Sequence, residues 1–587
     1  MKSATSTLLT DLTVAVAGQG GDGSLTVIAL LSRILAARGF HMYSARNVAS
    51  RIKGGHAAAI LRGSHSQRGG LNDTIDLLVA FDEEAVERLG PQLSADGIVI
   101  FDASAGPAPS QYLPERVKVF DVPFARLAVR DLRRDLFKNS LSFGVLTRVL
   151  GVTDAEAVGT LEDRFARLPD QLRSANVAAL NNGFGFADEH GISEGASSWQ
   201  LGTVEAEPRL DITGNHALAL GFLVAGGRFY TGYPITPATE ILEWLDRYLP
   251  RFGGVAVQAE DELSAVNMAI GAALTGVRAM TATSGPGIAL MQEGVSHAGS
   301  AEVPLVIVDS QRAGPSTGMP TKPEQSDLGM LVHGGNGEFP RIVLTPGDPT
   351  DCFDLAVEAT ALASKLQCPV YIAIDQAVAQ HATTVAPFDL NVPVEGGSRL
   401  TTAQVAGLDE YRRYLVTEDG VSPWALPGTP GGESLVTGNE HNEWGQVDTG
   451  PANRRRQLHK RRAKIAGVLG ELPPGRKWGT ETAGIGILGL GLEVAPMMEA
   501  TERLEEQGIA VAGLQPRTLF PVLDESIDFV ASRRITFVVE HNCDGQLMQI
   551  LTAAGAPLDR MIGIRRSDGL AFGPGEIVNR IAAEVVA

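Results

Sequence analysis

The chain has 587 residues, of which 44% are hydrophobic and 67 are glycine, a length that predicts several domains and a composition typical of loop-rich α/β proteins. Its 68 acidic residues exceed the 49 basic ones, and the net charge of −19 argues against nucleic acid or an anionic membrane as a partner. Because it has neither an apolar run of about 18 residues nor a secretory signal, we expect a cytoplasmic protein that does not span a membrane.

The three cysteines, Cys352, Cys368 and Cys543, lie far apart and form no CxxC motif. This spacing argues against a disulfide framework and against an iron–sulfur cluster held by the chain alone. If the protein takes part in electron transfer, we therefore expect another chain to carry the electrons.

The first predicted strand, Leu12–Ala17, leads into the sequence GQGGDGS and then a predicted helix, Leu25–Arg38. A glycine turn before a helix can bind an anion, but close packing of strand on helix is an equally good explanation. Asp22, together with Asn47, approximates a diphosphate and metal motif of thiamine enzymes. The second asparagine of that motif is missing, so we discount this reading.

The basic, glycine-containing segment SRIKGGH covers Ser50–His56. Arg51, Lys53 and His56 could bind a carboxylate or a phosphate, and a solvated turn is the alternative interpretation.

Four polar loops, each following a short apolar run that predicts a buried strand, lie between residues 230 and 330. Ligands of α/β proteins bind where parallel strands end, so these loops predict the rim of an active site. The loops are Tyr233–Glu240, Glu260–Ser264, Thr283–Gln292 and Gln311–Asp327.

The first loop has the sequence YPITPATE. Pro234 and Pro237 fix two backbone angles, which should hold Thr236 rigidly with its polar groups available to a ligand. The alternative is a helix cap, in which Thr236 and Glu240 serve the start of the next helix and bind nothing.

The second loop places three carboxylates at the start of a predicted helix. The helix dipole favours acids there, so Glu260 and Asp261 are explained by capping. Glu262 adjoins an apolar helix face rich in small residues, which would let another backbone approach it, and we consider it a candidate functional acid.

Composition changes between Phe388 and Trp478, where Arg454–Lys464 forms a basic run. We favour a solvated, cationic helix face over a subunit contact, and both over nucleic-acid binding. A further α/β unit is predicted from Thr482 onward. In its segment ITFVVEHNCDGQL, His541 and Cys543 are expected to serve local hydrogen bonding and packing.

The motifs GYPITPATE, EDELSAVNMAIGAALTG, SGPG with LMQEGVSHAG, and QRAGPSTGMPTKPEQSDL together resemble the alpha subunit of the 2-oxoacid:ferredoxin oxidoreductases. Residues 1–200, with AGQGGDG and RIKGGH, resemble the gamma subunit of that family, fused in front. The resemblance implies an α/β fold with three α/β domains: a gamma-type domain (1–200), a pyrimidine-binding thiamine-enzyme domain (205–388) and, after a linker with a basic helix (389–478), a transketolase C-terminal-like domain (479–587).

The resemblance also implies roles for individual residues. Glu262 matches the acid that bonds the aminopyrimidine ring of thiamine diphosphate and promotes ionisation of the thiazolium carbon. Pro234 and Ile235 match cofactor contacts, and Thr236 matches the threonine that holds the reacting carboxylate. Positions that grip the substrate in 2-oxoglutarate-type members are matched by Arg312, Thr321 and Lys53. Cations suit a distal carboxylate and favour a dicarboxylic 2-oxoacid over pyruvate.

The reaction implied is the decarboxylation of a 2-oxoacid with thiamine diphosphate, transfer of the acyl group to coenzyme A and of electrons to ferredoxin. In the family, the diphosphate and Mg²⁺ motif and the iron–sulfur cysteines belong to a beta subunit. We therefore expect this chain to be inactive alone and to share its thiamine site with a beta chain, in an (alpha–beta)₂ heterotetramer.

Two alternatives remain open at this stage. A pyruvate, indolepyruvate or branched-chain 2-oxoacid oxidoreductase would share these motifs and differ mainly in its substrate pocket. A non-catalytic scaffold subunit could also keep the fold, although the presence of Glu262, Thr236 and Arg312 together argues against the loss of activity.

Overall fold

A computed structural model describes residues 7–48, 55–192, 199–393, 397 and 399–586. The chain is an α/β protein, as predicted, and forms two compact units. The first comprises residues 1–211 with 381–387, and the second comprises residues 212–380 with 388–587. Among the described residues, no helix has the length and apolarity needed to cross a membrane.

The described strands, in chain order, are β1 (Thr7–Leu9), β2 (Asp11–Gln19), β3 (His41–Val48), β4 (His56–Ser64), β5 (Ile75–Ala80), β6 (Leu93–Asp102), β7 (Lys118–Val122), β8 (Trp199–Leu201), β9 (Leu210–Thr213), β10 (Phe229–Gly232), β11 (Val255–Gln258), β12 (Ala279–Thr283), β13 (Leu305–Gln311), β14 (Ile342–Leu344), β15 (Pro369–Asp375), β16 (Ala382–Val385), β17 (Arg476–Gly479), β18 (Ile485–Gly489), β19 (Val511–Gln515), β20 (Thr518–Phe520), β21 (Ile535–Glu540) and β22 (Met561–Arg565).

The described α-helices are Ser24–Ala37, Glu83–Leu89, Phe124–Leu132, Lys138–Val149, Asp154–Arg164, Asp170–Glu189, Gly214–Val224, Thr239–Tyr248, Glu262–Leu274, Gly285–Ser300, Leu328–His333, Pro349–Leu366, Gln376–Gln380, Thr402–Ala406, Pro451–Ala466, Val494–Glu506, Asp524–Ala531, Gln546–Ala553 and Pro574–Val586.

The main sheet of the first unit has the strand order β7-β6-β5-β2-β4-β3-β16-β9. Its strands β2, β5, β6 and β7 run parallel, whereas β4 pairs antiparallel with both β2 and β3. The sequence correctly predicts β2 and the helix Ser24–Ala37, because a buried apolar run is followed by apolar residues at helical spacing.

The glycine turn between that strand and helix is occupied by its own aspartate. One carboxylate oxygen of Asp22 accepts a hydrogen bond from the Gln19 amide at 2.9 Å, and the other lies 2.8 Å from Nζ of Lys138. This arrangement argues against the anion-binding interpretation, because the carboxylate of Asp22 already accepts from a turn amide and pairs with the nearby cation.

The second unit contains a seven-stranded sheet of order β11-β10-β12-β13-β15-β14-β20 and a five-stranded sheet of order β17-β19-β18-β21-β22. In the first of these, all strands are parallel except β20, which pairs antiparallel with β14. Its central strands β12, β13 and β15 are buried along their whole length, as is typical of a parallel sheet with helices on both faces.

The basic run Arg454–Lys464 is helical, as predicted, but the interpretation of a wholly solvated face is wrong. Lys460 and Lys464 are fully buried, and their ammonium groups each lie 2.6 Å from the carboxylate of Glu302. Although burial acts to raise the pKa of Glu302, the charges of Lys464 and Lys460 hold that pKa below its ordinary value. Lys460 and Lys464, four residues apart on one face of the helix Pro451–Ala466, thus connect this helix to Glu302 through buried ion pairs.

Candidate active site

The four polar loops meet at one edge of the seven-stranded sheet. They follow β10, β11, β12 and β13, which are neighbours in the order β11-β10-β12-β13 and run parallel. Parallel strands end at a common edge, so the sequence-based prediction that the loops share one rim is confirmed.

Glu262 is the first residue of the helix Glu262–Leu274 and is 6% exposed. The preceding Asp261 is the N-cap, and its carboxylate accepts a hydrogen bond from the Ser264 amide at 2.6 Å, as the capping interpretation predicts. The neighbouring Glu262 carboxylate makes no hydrogen bond to another residue in the described part of the chain.

Gly287 allows a second helix to approach Glu262 closely. A Cβ atom at Gly287 would lie 2.7 Å from Cγ and 2.9 Å from Oε1 of Glu262. These distances are too short for Glu262 and a larger residue at 287 to keep their positions. Gly287 belongs to the first turn of the helix Gly285–Ser300. The absence of a side chain at Gly287 therefore allows the backbone of the helix Gly285–Ser300 to approach the Glu262 carboxylate.

Thr236 and Arg312 are brought together from two different loops. The Nη1 atom of Arg312 donates a hydrogen bond to the carbonyl oxygen of Thr236 at 2.7 Å. The helix-cap interpretation of Thr236 is wrong, because the next helix begins at Thr239 and its N-cap, Ala238, makes no side-chain capping bond.

Arg312 is 7% exposed, and its buried Nε atom has no hydrogen-bond partner. Across the described residues, no carboxylate lies within ion-pairing distance of it. Burial lowers the pKa of Arg312, while the charges of Asp327 and Glu262 act in the opposite direction. Burying a cation without a paired anion costs free energy. The Arg312 guanidinium could therefore bind the carboxylate of a ligand.

Thr321 lies in the loop that follows Arg312, and the backbone of this loop folds back on itself. The amide of Ala313 donates to the carbonyl of Lys322 at 3.0 Å, and the amide of Met319 donates to the carbonyl of Ala313 at 2.9 Å. These bonds place the neighbours of Arg312 and Thr321 side by side, so the structure brings both residues to one part of the loop.

The remaining predicted site residues have different surroundings. Pro234 and Ile235 are half-buried in the same loop as Thr236. Lys53 falls outside the described residues. His56 is buried at the start of β4, with its Nε2 atom 3.8 Å from a carboxylate oxygen of Asp82.

Asp309 and Asp327 also lie at this edge, and no functional role was assigned to them from the sequence. Asp309 is fully buried near the end of β13, and neither of its carboxylate oxygens has a hydrogen-bond partner. The Oδ2 atom of Asp327 is likewise buried and unpartnered, and so are the hydroxyls of Thr283 and Ser284. The sequence feature that could have identified Asp309 is its position as an acid at the end of a predicted strand, three residues before Arg312.

Burial raises the pKa of Asp309 well above its ordinary value, and the nearby Asp327 adds to this effect. Burial also raises the pKa of Asp327 to about 7, with a contribution from Glu324 and an opposing one from Arg312. Two acids next to each other in a buried site favour holding at least one proton, which keeps the negative charge near Arg312 low.

The raised pKa of Asp327 predicts a pH-dependent stability. An unfolded chain ionises this carboxyl near pH 4, whereas the folded protein keeps its proton until about pH 7, so the free energy of unfolding falls as the pH rises from about 4 to about 7. Asp327→Asn removes the titrating carboxyl and with it this contribution to the pH dependence of stability. The melting temperature of the variant, relative to that of wild type, should therefore be higher at pH 8 than at pH 5 by a few degrees. An equal difference at both pH values would contradict the assignment.

Models of two known families match this chain. The model described as "Pyruvate ferredoxin/flavodoxin oxidoreductase" matches residues 13–186. The model described as "Pyruvate flavodoxin/ferredoxin oxidoreductase, thiamine diP-bdg" matches residues 221–443, which include all four polar loops. These matches define the class of the protein: a thiamine-diphosphate-dependent oxidoreductase.

Known relatives narrow this class. A 2-oxoacid:ferredoxin oxidoreductase subunit alpha of Saccharolobus solfataricus is 30% identical over 600 residues, covering 91% of this chain and 92% of the relative. A 2-oxoglutarate synthase subunit KorA of Methanothermobacter thermautotrophicus is 35% identical over 379 residues, covering 63% of this chain and 97% of the relative. The chain belongs to the family of 2-oxoacid:ferredoxin oxidoreductase alpha subunits.

A solved structure of the 2-oxoglutarate:ferredoxin oxidoreductase of Magnetococcus marinus, with 2-oxoglutarate, coenzyme A and succinyl-CoA bound, is also similar to this chain. The two are 32% identical, with a TM-score of 0.91, over 98% of this chain and 100% of the other.

Proposed function

We propose that this chain is the alpha subunit, with a fused gamma part, of a 2-oxoglutarate:ferredoxin oxidoreductase. The reaction converts 2-oxoglutarate, coenzyme A and oxidised ferredoxin to succinyl-CoA, CO₂ and reduced ferredoxin. Carbon–carbon cleavage releases CO₂, a thioester bond forms to coenzyme A, and the two electrons left by the oxidation pass to ferredoxin.

The observation that carries the proposal is the buried guanidinium of Arg312, which has no carboxylate partner among the described residues. 2-Oxoglutarate carries a second carboxylate that pyruvate lacks. An arginine can bind a carboxylate through two parallel hydrogen bonds, and such charge-assisted bonds are worth about 1.5–3 kcal/mol each. The names of the relatives, which include 2-oxoglutarate synthase and 2-oxoglutarate:ferredoxin oxidoreductase, agree with this substrate.

Within this proposal, Arg312 and Thr321 bind the distal carboxylate. The family resemblance assigns a further contact to Lys53, which lies outside the described residues. Thr236 holds the reacting carboxylate on the other side. The bond from Arg312 to the Thr236 carbonyl couples the two ends of the substrate site, because it fixes the guanidinium relative to the loop that binds the reacting group.

The residues around Glu262 fit the aminopyrimidine of thiamine diphosphate. The chemistry needs a carboxylic acid that exchanges a proton with a ring nitrogen, and Glu262 offers a largely buried carboxylate that makes no hydrogen bond within the described residues. When bound, thiamine diphosphate supplies the carbon nucleophile and the electron sink for decarboxylation. Pro234 and Ile235, in the loop beside Thr236, would contact the cofactor.

A beta chain would complete the site. The proposal assigns to it the diphosphate, Mg²⁺ and iron–sulfur sites, in keeping with the three dispersed cysteines of this chain. Leu263 directly follows Glu262 and is 46% exposed, and Leu290 of the helix Gly285–Ser300 is 48% exposed. Apolar side chains at the rim of a site are the kind of surface that a partner chain covers.

The test is to co-express this chain with a candidate beta chain, purify the complex, and measure coenzyme A-dependent viologen reduction with 2-oxoglutarate, pyruvate and 2-oxoisovalerate. We expect the highest kcat/KM for 2-oxoglutarate and no activity from this chain alone. Equal turnover of the three acids would contradict the dicarboxylate assignment, and activity of this chain without a partner would contradict the shared site.

A further inference from the structure

Residues 325–329, at the end of the loop that carries Arg312 and Thr321, are hydrogen-bonded to residues 541–546, which follow strand β21 of the five-stranded sheet. The Gln325 amide donates to the carbonyl of His541 at 2.8 Å, and Nδ2 of Asn542 donates to the carbonyl of Gln325 at 3.1 Å. Gln325, His541 and Asn542 are all buried, so water does not compete for these bonds.

Gln546 holds the same backbone stretch at two further points. Its Nε2 atom donates to the carbonyl of Ser326 at 2.7 Å, and its Oε1 atom accepts from the Gly329 amide at 2.9 Å. One side chain therefore grips the chain on both sides of Asp327, and both polar atoms of its amide are used.

The holding segment is itself rigid. The Asn542 side chain donates to Glu540 at 3.1 Å and accepts from the Gly545 amide at 2.7 Å. Glu540 in turn accepts from the Leu547 amide at 2.7 Å. Such a network fixes the start of the helix Gln546–Ala553 and thereby the position of Gln546.

Residues 325–329 include Asp327, the last residue of the loop Gln311–Asp327. This loop carries Arg312 and Thr321 and is called the substrate loop below. The Asp327 amide donates to Oε1 of Gln311, the residue before Arg312, at 3.2 Å. Its carboxylate lies against the start of the helix Gly285–Ser300, since a Cβ at Gly285 would lie 2.5 Å from either oxygen. A displacement of this stretch would therefore move the closing bond of the loop and the acid whose charge acts on Arg312.

We propose that Gln546, supported by Asn542, is a positioning residue that sets the geometry of the substrate loop and hence the affinity for the 2-oxoacid. The inference rests on the proposed function, because it takes Arg312 and Thr321 to be substrate contacts. It gives the segment HNCDGQ of the five-stranded sheet unit a role in recognition of a substrate that it does not touch.

The test uses the complete complex with its beta chain and compares Gln546→Met with Gln549→Met. Methionine has a similar size and lacks both hydrogen-bonding atoms. Gln549 lies one turn further along the same helix, is exposed, and donates only to the carbonyl of Asp544, so it is a matched control. We expect Gln546→Met to raise KM for the 2-oxoacid about tenfold, which corresponds to about 1.4 kcal/mol. The kcat and the KM for coenzyme A should match those of the control.

Two results would overturn this inference. One is a KM for the 2-oxoacid that changes no more than in Gln549→Met. The other is a parallel change in kcat, in both KM values and in melting temperature, which would indicate a general structural role. Arg312→Ala, measured in the same assay, distinguishes failure of the positioning role from failure of the proposed substrate contact. If it raises KM while Gln546→Met does not, the positioning role alone fails. If Arg312→Ala has no effect, the proposed substrate contact fails and the inference fails with it.

Discussion

Arg312→Ala should lower kcat/KM for 2-oxoglutarate by about 30-fold to 4,000-fold, while kcat/KM for pyruvate changes far less. Truncating one partner of a buried, hydrogen-bonded charge pair costs roughly 2–5 kcal/mol, and the distal carboxylate of bound 2-oxoglutarate would lose its counter-charge. Pyruvate has no distal carboxylate and therefore loses no such pair. The measurement is the ratio of the two kcat/KM values in the reconstituted complex.

Two companion variants sharpen this prediction. Arg312→Lys keeps the positive charge but loses the planar fork, so the ratio should fall by less than in the alanine variant. Arg533→Ala removes a buried arginine of the five-stranded sheet unit that donates to the Phe529 carbonyl, and should leave the ratio unchanged. A ratio that is the same in Arg312→Ala and wild type would show that Arg312 does not recognise the second carboxylate.

Glu262→Gln should lower kcat by about 10²–10⁴-fold, the range that general acid–base groups contribute. Glutamine keeps the shape of the side chain but cannot exchange a proton with the cofactor ring. The same activity assay measures the effect, and the melting temperature should stay close to that of wild type because the buried carboxylate makes no hydrogen bond within the described residues that the amide would lose.

Glu260→Gln is the control for this second variant. Glu260 lies in the same loop, is exposed, and loses the same charge on substitution. We expect the activity of Glu260→Gln to remain near that of wild type. Equal loss of activity in the two variants would indicate a general effect of loop charge rather than proton exchange by Glu262.

The strands and loops that form the site were predictable because each signal is local. Apolar runs identify β10, β11, β12 and β13, and each is followed at once by its polar loop. The expectation that all four runs form buried strands is wrong for β11, which is the edge strand of the sheet and is partly exposed. Since parallel strands end at a common edge, convergence of the loops follows without knowledge of the strand order. The roles assigned to Glu262, Thr236 and Arg312 came from the family resemblance and stay predictions.

Features that depend on contacts between distant residues were not predictable in the same way. Asp309 and Asp327 are 18 positions apart in sequence, and only the folded loop makes their charges interact. The hydrogen bonds between Gln546 and the backbone of Ser326 and Gly329 link elements more than 200 residues apart.

The prediction of a solvated face for the basic run Arg454–Lys464 was wrong for a related reason. Seen alone, a helix with this composition predicts a solvated face, because lysine and arginine are rarely buried without partners. The partner of Lys460 and Lys464 is Glu302, about 160 positions earlier, and no local pattern connects them.

The most direct test of the central claim is a structure of the complex of this chain and its beta chain with 2-oxoglutarate bound. We expect the distal carboxylate within hydrogen-bonding distance of the Arg312 guanidinium, with the reacting carboxylate at Thr236. A bound 2-oxoglutarate whose distal carboxylate lies elsewhere, with Arg312 bonded only to the Thr236 carbonyl, would contradict the account.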